Sequence, residues 1–122
     1  LSAGYYDAYY LKALKVRRLI RDDYHAVFQD VDLVLGPTTP TAAFGIGQLN
    51  ENPLQLYLQD LFTVTANLAG VPALSIPAGF SPSGLPIGVQ LQAPPFHEGR
   101  LLQAGTRFQT TTDWHTRRPS LS

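Results

Sequence analysis

Charged side chains are almost missing from the middle of this chain of 122 residues. Between Asp32 and Glu98 the sequence has only Glu51 and Asp60, and it has no Lys or Arg there. Glu51 lies in a polar turn at residues 50–53 and is expected to face water. Asp60 lies in an apolar segment, where a carboxylate costs free energy unless a cation or several hydrogen-bond donors meet it. The sequence therefore requires a partner for Asp60.

The residues around Asp60 leave two interpretations open. If the segment is helical, the neighbours three and four residues away are Leu56, Tyr57, Thr63 and Val64. The cation must then come from the ends of the chain, from other protein, or from a ligand with an ammonium group. One interpretation is a buried structural carboxylate paired with an arginine elsewhere. The other is recognition of a ligand ammonium.

A long first helix is predicted from about Gly4 to Gln29. Apolar residues recur there at spacings of three and four, which is typical of one buried stripe, and basic residues decorate the opposite side. The expected stripe consists of Tyr6, Tyr9, Ala13, Val16, Ile20, Tyr24 and Val27.

The remaining elements alternate between strands and helices. A second helix is predicted from Asn52 as N-cap, through Pro53 at the first helical position, to Ala69, where Gly70 stops it. The short apolar run at residues 31–36 is typical of a strand buried on both faces. Further expectations are strands at 73–77 and 86–92 that form a hairpin, a last helix at 98–110 and a frayed tail at 116–122.

Composition excludes several classes of protein. The formal net charge is zero, so bulk attraction to nucleic acid or membrane is not expected. The sequence has no cysteine, which excludes disulfides and thiolate chemistry, and no apolar run of about 18 residues, so no membrane partner is expected. Methionine is also absent and the first residue is Leu1, from which we expect an excised or incomplete piece of a longer protein.

Few residues have the pattern of a catalytic site. His25, His97 and His115 lack the spacing of metal ligands and are expected at the surface or at helix ends. Ser75 lacks the Gly-x-Ser-x-Gly elbow of a nucleophile, so a packing role is expected. Asp60 remains the best single candidate.

Four segments resemble the amidase-signature family, in the family's order and over nearly the whole chain. They are residues 1–10 (LSAGYYDAYY), 36–40 (GPTTP), 67–77 (NLAGVPALSIP) and 84–91 (GLPIGVQL). Within the family, residues 5–10 and 60–64 are most similar to the glutaminase subunits of aspartyl/glutamyl-tRNA amidotransferases.

The resemblance implies a function and one site residue. Such a glutaminase hydrolyses glutamine and passes ammonia to a partner that amidates misacylated tRNA. The family's nucleophilic serine, second serine and lysine belong to a Gly/Ser-rich signature that this sequence lacks, so no catalytic residue is carried over. Asp60 matches the family's aspartate that binds the α-ammonium of the substrate, which makes it the expected substrate-binding residue.

The resemblance also implies partners and a location. Amidotransferase subunits B and C are the expected protein partners, and tRNA is expected to bind through the partner. No cofactor or metal is expected in this chain, whereas ATP and Mg²⁺ are expected on the partner. The expected location is the bacterial or archaeal cytoplasm, or an organelle.

The expected fold class is α/β: the C-terminal portion of an α/β/α sandwich with a mixed sheet, in which residues 1–122 belong to a single amidase domain. One alternative is another amidase-signature hydrolase that acts on small amides. A second alternative, of a different class, is a standalone α/β binding module.

Overall fold

Helices and strands alternate along the chain in the computed structural model, which describes residues 3–47 and 53–118. The elements are α1 (Ala3–Val27), β1 (Val34–Pro37), α2 (Pro53–Leu58), α3 (Val64–Ala69), β2 (Ala73–Phe80), β3 (Pro86–Gln92) and α4 (Glu98–Thr111), followed by a 3₁₀ turn (Trp114–Thr116). No helix in these two ranges is both long enough and apolar enough to cross a membrane.

The three described strands form one antiparallel sheet in the order β1-β3-β2. The predicted hairpin is confirmed, with Ser75 opposite Gln90 and Ile76 opposite Val89. β2 continues three residues beyond the predicted end at Pro77, with an irregularity between Pro77 and Gly79. Since β2 has a partner on one side only among the described strands, the missing donor of Pro77 is tolerated there.

β1 differs from its prediction because it lies at an edge of the described sheet. Its side chains alternate between half-buried and exposed, and Leu35 is 66% exposed. The prediction of a strand buried on both faces was therefore wrong for the described residues. An edge strand turns alternate side chains to opposite faces, and the described chain covers only one of them well.

The two faces of the sheet carry different elements. On one face α4 packs against β2, and Gly105 lies against the side chains of Leu74 and Ile76. On the other face Gln90 of β3, which alternates with the α4-facing positions, reaches the carbonyl of Phe62 between α2 and α3. Helical structure on both sides of a sheet confirms the predicted α/β class and its layered arrangement.

The predicted buried stripe of α1 is wrong for most of its length. Tyr9, Val16 and Val27 are exposed, whereas Ile20 and Tyr24 are half-buried. The buried part packs on a small core, which consists of Ala66, Ala69 and Val71, together with Phe28. α3 has six residues and so covers only the C-terminal half of α1. The side chain of Tyr6 lies outside the described residues.

The second predicted helix is divided in two. α2 begins at Pro53 as predicted, and Gly70 ends α3 in the left-handed region at φ 73°. Between them, residues 59–63 form turns, which we call the Asp60 turn. The hydroxyl of Thr63 donates to the carbonyl of Asp60 at 3.2 Å, a local bond that competes with helix formation. The predicted N-cap Asn52 lies outside the described residues.

The predicted frayed tail begins later than Thr116. The guanidinium of Arg117 lies 4.6 Å from the ring centroid of Trp114 and 5.8 Å from that of Phe80. It also pairs with the carboxylate of Asp113 at 3.0 Å. Arg117 thus connects the end of the chain to β2, and residues 119–122 lie outside the described part.

We predict that Gly105→Val destabilises the complete protein by about 1–3 kcal/mol, the usual range for overpacking. A Cβ atom at Gly105 would lie 2.8 Å from the Cδ2 atom of Leu74, so α4 would have to move away from β2. Gly99→Val in the same helix is the matched control, because no heavy atom lies within 4 Å of its added Cβ. Urea unfolding of both variants measures the difference, and equal stability of the two would contradict this packing.

Candidate functional site

Asp60 lies on the exposed side of the Asp60 turn, with its backbone fully used. Its N–H donates to the carbonyl of Tyr57 at 3.2 Å, and its own carbonyl accepts from the N–H groups of Thr63 at 3.1 Å and Val64 at 2.9 Å. These bonds make Asp60 the residue from which α3 starts. The predicted site residue is thus held by its main chain, and its side chain is exposed.

The carboxylate of Asp60 has no arginine or lysine partner within residues 7–47 and 53–118, whose side chains the structure describes. The ion pairs there join Arg18 and Arg21 to Asp22, Arg100 to Asp32, and Arg117 to Asp113. Of the two interpretations of Asp60, pairing with an arginine of this chain is therefore not realised in the described part.

The predicted apolar surroundings of Asp60 are not formed by the described residues. Leu56, Tyr57 and Val64 are exposed, Tyr57 to 78%, and Thr63 is half-buried. The expectation of a carboxylate enclosed by these four side chains was wrong, because the turn interrupts the helix that would have placed them around it. Within the described part, Asp60 is an accessible charge without a neutralising cation, on an ordered turn.

Side chains from neighbouring elements hold the Asp60 turn. Gln90 Nε2 on β3 donates to the carbonyl of Phe62 at 3.0 Å. On the other side of Asp60, Thr41 Oγ1 in the loop after β1 donates to Gln59 Oε1 at 3.2 Å. Asn67 Nδ2 on α3 donates to the carbonyl of Thr63 at 2.9 Å. Sequence analysis missed these residues, since only a buried amide on a strand could have indicated Gln90.

A pair of hydroxyl groups joins the loop after β1 to β2. Thr38 Oγ1 and Ser75 Oγ lie 2.8 Å apart, and a Cβ atom at Gly88 would come within 3.1 Å and 3.3 Å of them. Glycine at position 88 therefore lets the loop after β1 approach β3 closely. The hydrogen-bond partner of Ser75 is a hydroxyl rather than a base, as the predicted packing role requires.

Two cavities lie near these elements. One of about 460 Å³ is bounded by the loop at residues 40–44 and by Gln55, Leu58 and Gln59, directly beside Asp60 in the chain. The other, of about 750 Å³, lies between the end of α1 and the start of α4, with Arg21, His25, His97 and Arg100 among its lining residues. The first is the cavity that the Asp60 turn helps to form.

The three histidines lie apart from the Asp60 turn. His25 is in the last turn of α1, His97 precedes α4, and His115 is in the 3₁₀ turn. The residues that the structure describes contain no group of three His, Cys, Asp or Glu side chains able to hold a metal ion. The arrangement around Asp60 therefore offers binding of an organic cation through charge and hydrogen bonds.

Comparison with known proteins places these features in a family. The family model described as Amidase matches residues 1–102. The chain is 65% identical over 119 residues to the A subunit of Glutamyl-tRNA(Gln) amidotransferase from Rhodopirellula baltica, a match that covers 98% of this chain and 24% of that protein. This chain thus spans about a quarter of the length of the curated relatives it matches.

Solved structures share the fold. The crystal structure of the A subunit of Glutamyl-tRNA(Gln) amidotransferase from Thermotoga maritima superposes with a TM-score of 0.76 at 48% identity, over 83% of this chain and 22% of that one. The structure of 6-aminohexanoate cyclic dimer hydrolase superposes with a TM-score of 0.81 at 27% identity, over 98% and 27% of the two chains. The chain belongs to the Amidase family.

Proposed function

We propose that this chain is part of a glutamine-hydrolysing amidase subunit that supplies ammonia for the amidation of misacylated Glu-tRNA(Gln) or Asp-tRNA(Asn). The observation that carries the proposal is the carboxylate of Asp60, which is exposed and has no cationic partner among the described residues. It lies on a turn that β3, α3 and the loop after β1 hold in place. A carboxylate fixed in this way is suited to bind a ligand ammonium.

In this proposal Asp60 accepts hydrogen bonds from the α-ammonium of glutamine. Charge-assisted bonds of this kind are short and about twice as strong as neutral ones. Because the backbone of Asp60 is already ordered, little conformational entropy is lost when glutamine binds. The contact selects an α-amino acid and orients its side-chain amide, while the bond-breaking groups are supplied by a Gly/Ser-rich segment with two serines and a lysine that this sequence does not contain.

The proposed partners follow from the proposed reaction. Ammonia released from glutamine passes to a second protein, which holds ATP and Mg²⁺, binds the tRNA and forms the new amide; subunits B and C complete the assembly. The location is then a compartment where protein synthesis takes place. The support is the identity of 65% and 48% to proteins named as the A subunit of glutamyl-tRNA(Gln) amidotransferase.

The alternative is a hydrolase of small amides, since 6-aminohexanoate cyclic dimer hydrolase has the same fold. Fold likeness does not separate the two activities, because the TM-scores are 0.76 and 0.81. Sequence identity does favour the amidotransferase, at 48% against 27%. The standalone binding module has no such support, because the chain belongs to a family of enzymes.

We predict that Asp60→Ala, in the complete enzyme, lowers kcat/KM for glutamine by about 30-fold or more, as the loss of one side of a desolvated charge pair costs about 2–5 kcal/mol. The amide that lacks only the α-amino group of glutamine should lose little. Steady-state kinetics with both substrates measures this selectivity. Asp30→Ala, at another exposed aspartate, is the control; equal losses on both substrates for Asp60→Ala would refute the role.

A second prediction uses free ammonia as the nitrogen donor. Asp60→Ala should leave ammonium-dependent amidation of misacylated tRNA within about twofold of the unchanged enzyme, because ammonia enters after the glutamine site and effects below about 0.5 kcal/mol are expected of a change remote from it. Amidation is followed with glutamine and with ammonium chloride in parallel. Loss of both activities together would show that Asp60 serves the whole assembly rather than glutamine binding.

A further inference from the structure

Two glutamines are the buried polar side chains of the described core. Gln90 and Gln92 lie on the central strand β3, and each is 5% exposed. Burial of a primary amide costs free energy unless its polar atoms are hydrogen-bonded. An apolar residue would fill the same position at lower cost, so a buried amide calls for a reason.

For Gln90 the reason is its hydrogen bond to the Asp60 turn. Its Nε2 atom donates to the carbonyl oxygen of Phe62 at 3.0 Å, across 28 positions of sequence. Phe62 lies two residues after Asp60, and Thr65 Oγ1 donates to the same carbonyl at a longer 3.4 Å. The bond therefore connects the most constrained strand of the sheet to the turn that carries the charge.

The opposite side of the turn is fixed through Thr65. Its hydroxyl lies 3.1 Å from the hydroxyl of Tyr24 on α1. Val64 N–H and Thr63 N–H both bind the carbonyl of Asp60, so a displacement of Phe62 would move the backbone that holds Asp60. Of these contacts, Gln90 is the one that comes from the sheet.

Gln92 provides a matched comparison within the same strand. It lies two residues further along β3, on the same face, and is buried to the same extent. Its register partners are Val34 on β1 and Ala73 on β2, which lie at the end of the sheet away from Pro37. Gln90 and Gln92 thus differ in position relative to the Asp60 turn more than in environment.

We propose that Gln90 is a positioning residue for glutamine recognition: by holding the carbonyl of Phe62, it fixes the carboxylate of Asp60 where the α-ammonium of the substrate binds. This inference rests on the proposed function of Asp60. Gln90 touches neither the substrate nor the reacting atoms. It acts through the backbone of the turn, so its loss changes the binding of an amino acid more than the chemistry of the amide.

The test is Gln90→Met in the complete enzyme, because methionine keeps the length of the side chain and removes the donor. We expect KM for glutamine to rise and kcat/KM to fall by about tenfold, the effect of one buried hydrogen bond. The amide without the α-amino group should lose less than about twofold on the same grounds. Gln92→Met should affect both substrates equally. In an Asp60→Ala background, Gln90→Met should cause no further selective loss.

Amide hydrogen exchange separates failure of this inference from failure of the proposed function. Gln90→Met should speed exchange at Thr63 and Val64, and Gln92→Met should not. Unchanged exchange, or equal losses on both substrates while Asp60→Ala remains selective, would overturn the role of Gln90. Faster exchange with an unselective Asp60→Ala would overturn the proposed function instead. If Gln90→Met does not fold, Gln90→Asn, one methylene shorter, carries the same expectations.

Discussion

The pairing of β3 with both of its neighbours is the constraint on which the rest of the described structure depends. β3 hydrogen-bonds to β1 on one side and to β2 on the other, so its side chains have the most closely fixed positions in the sheet. One face of this sheet receives α4, where Gly105 permits close contact. The other face sends Gln90 to the Asp60 turn and receives the loop after β1 at Gly88.

The same constraint explains how a short, exposed turn keeps a defined geometry. The Asp60 turn contains no regular helix, and its buried contacts are few. Its order comes from side-chain donors on β3, on α3 and in the loop after β1, each of which binds an atom of the turn. A turn that is fixed from several sides can present a charge without enclosing it, which is what a ligand site on a rigid frame requires.

Sequence reasoning succeeded where local chemistry decides the structure. Pro53 begins a helix, Gly70 ends one, and the hairpin of β2 and β3 follows from turn residues between two apolar strands. It failed where burial depends on surfaces distant in sequence: the stripe of α1 and the enclosure of Asp60 both assumed that apolar residues find cover. The role of Gln90 lies in a contact across 28 positions, which no local pattern encodes.

The central claim is that Asp60 binds the α-ammonium of glutamine, and the most direct measurement is a crystal structure of the complete enzyme with glutamine held in an unreactive form. The account predicts a distance of about 2.7–3.0 Å between the substrate nitrogen and a carboxylate oxygen of Asp60, the range of charge-assisted hydrogen bonds. An α-ammonium that binds to another carboxylate, with Asp60 more than about 4 Å away, would contradict it.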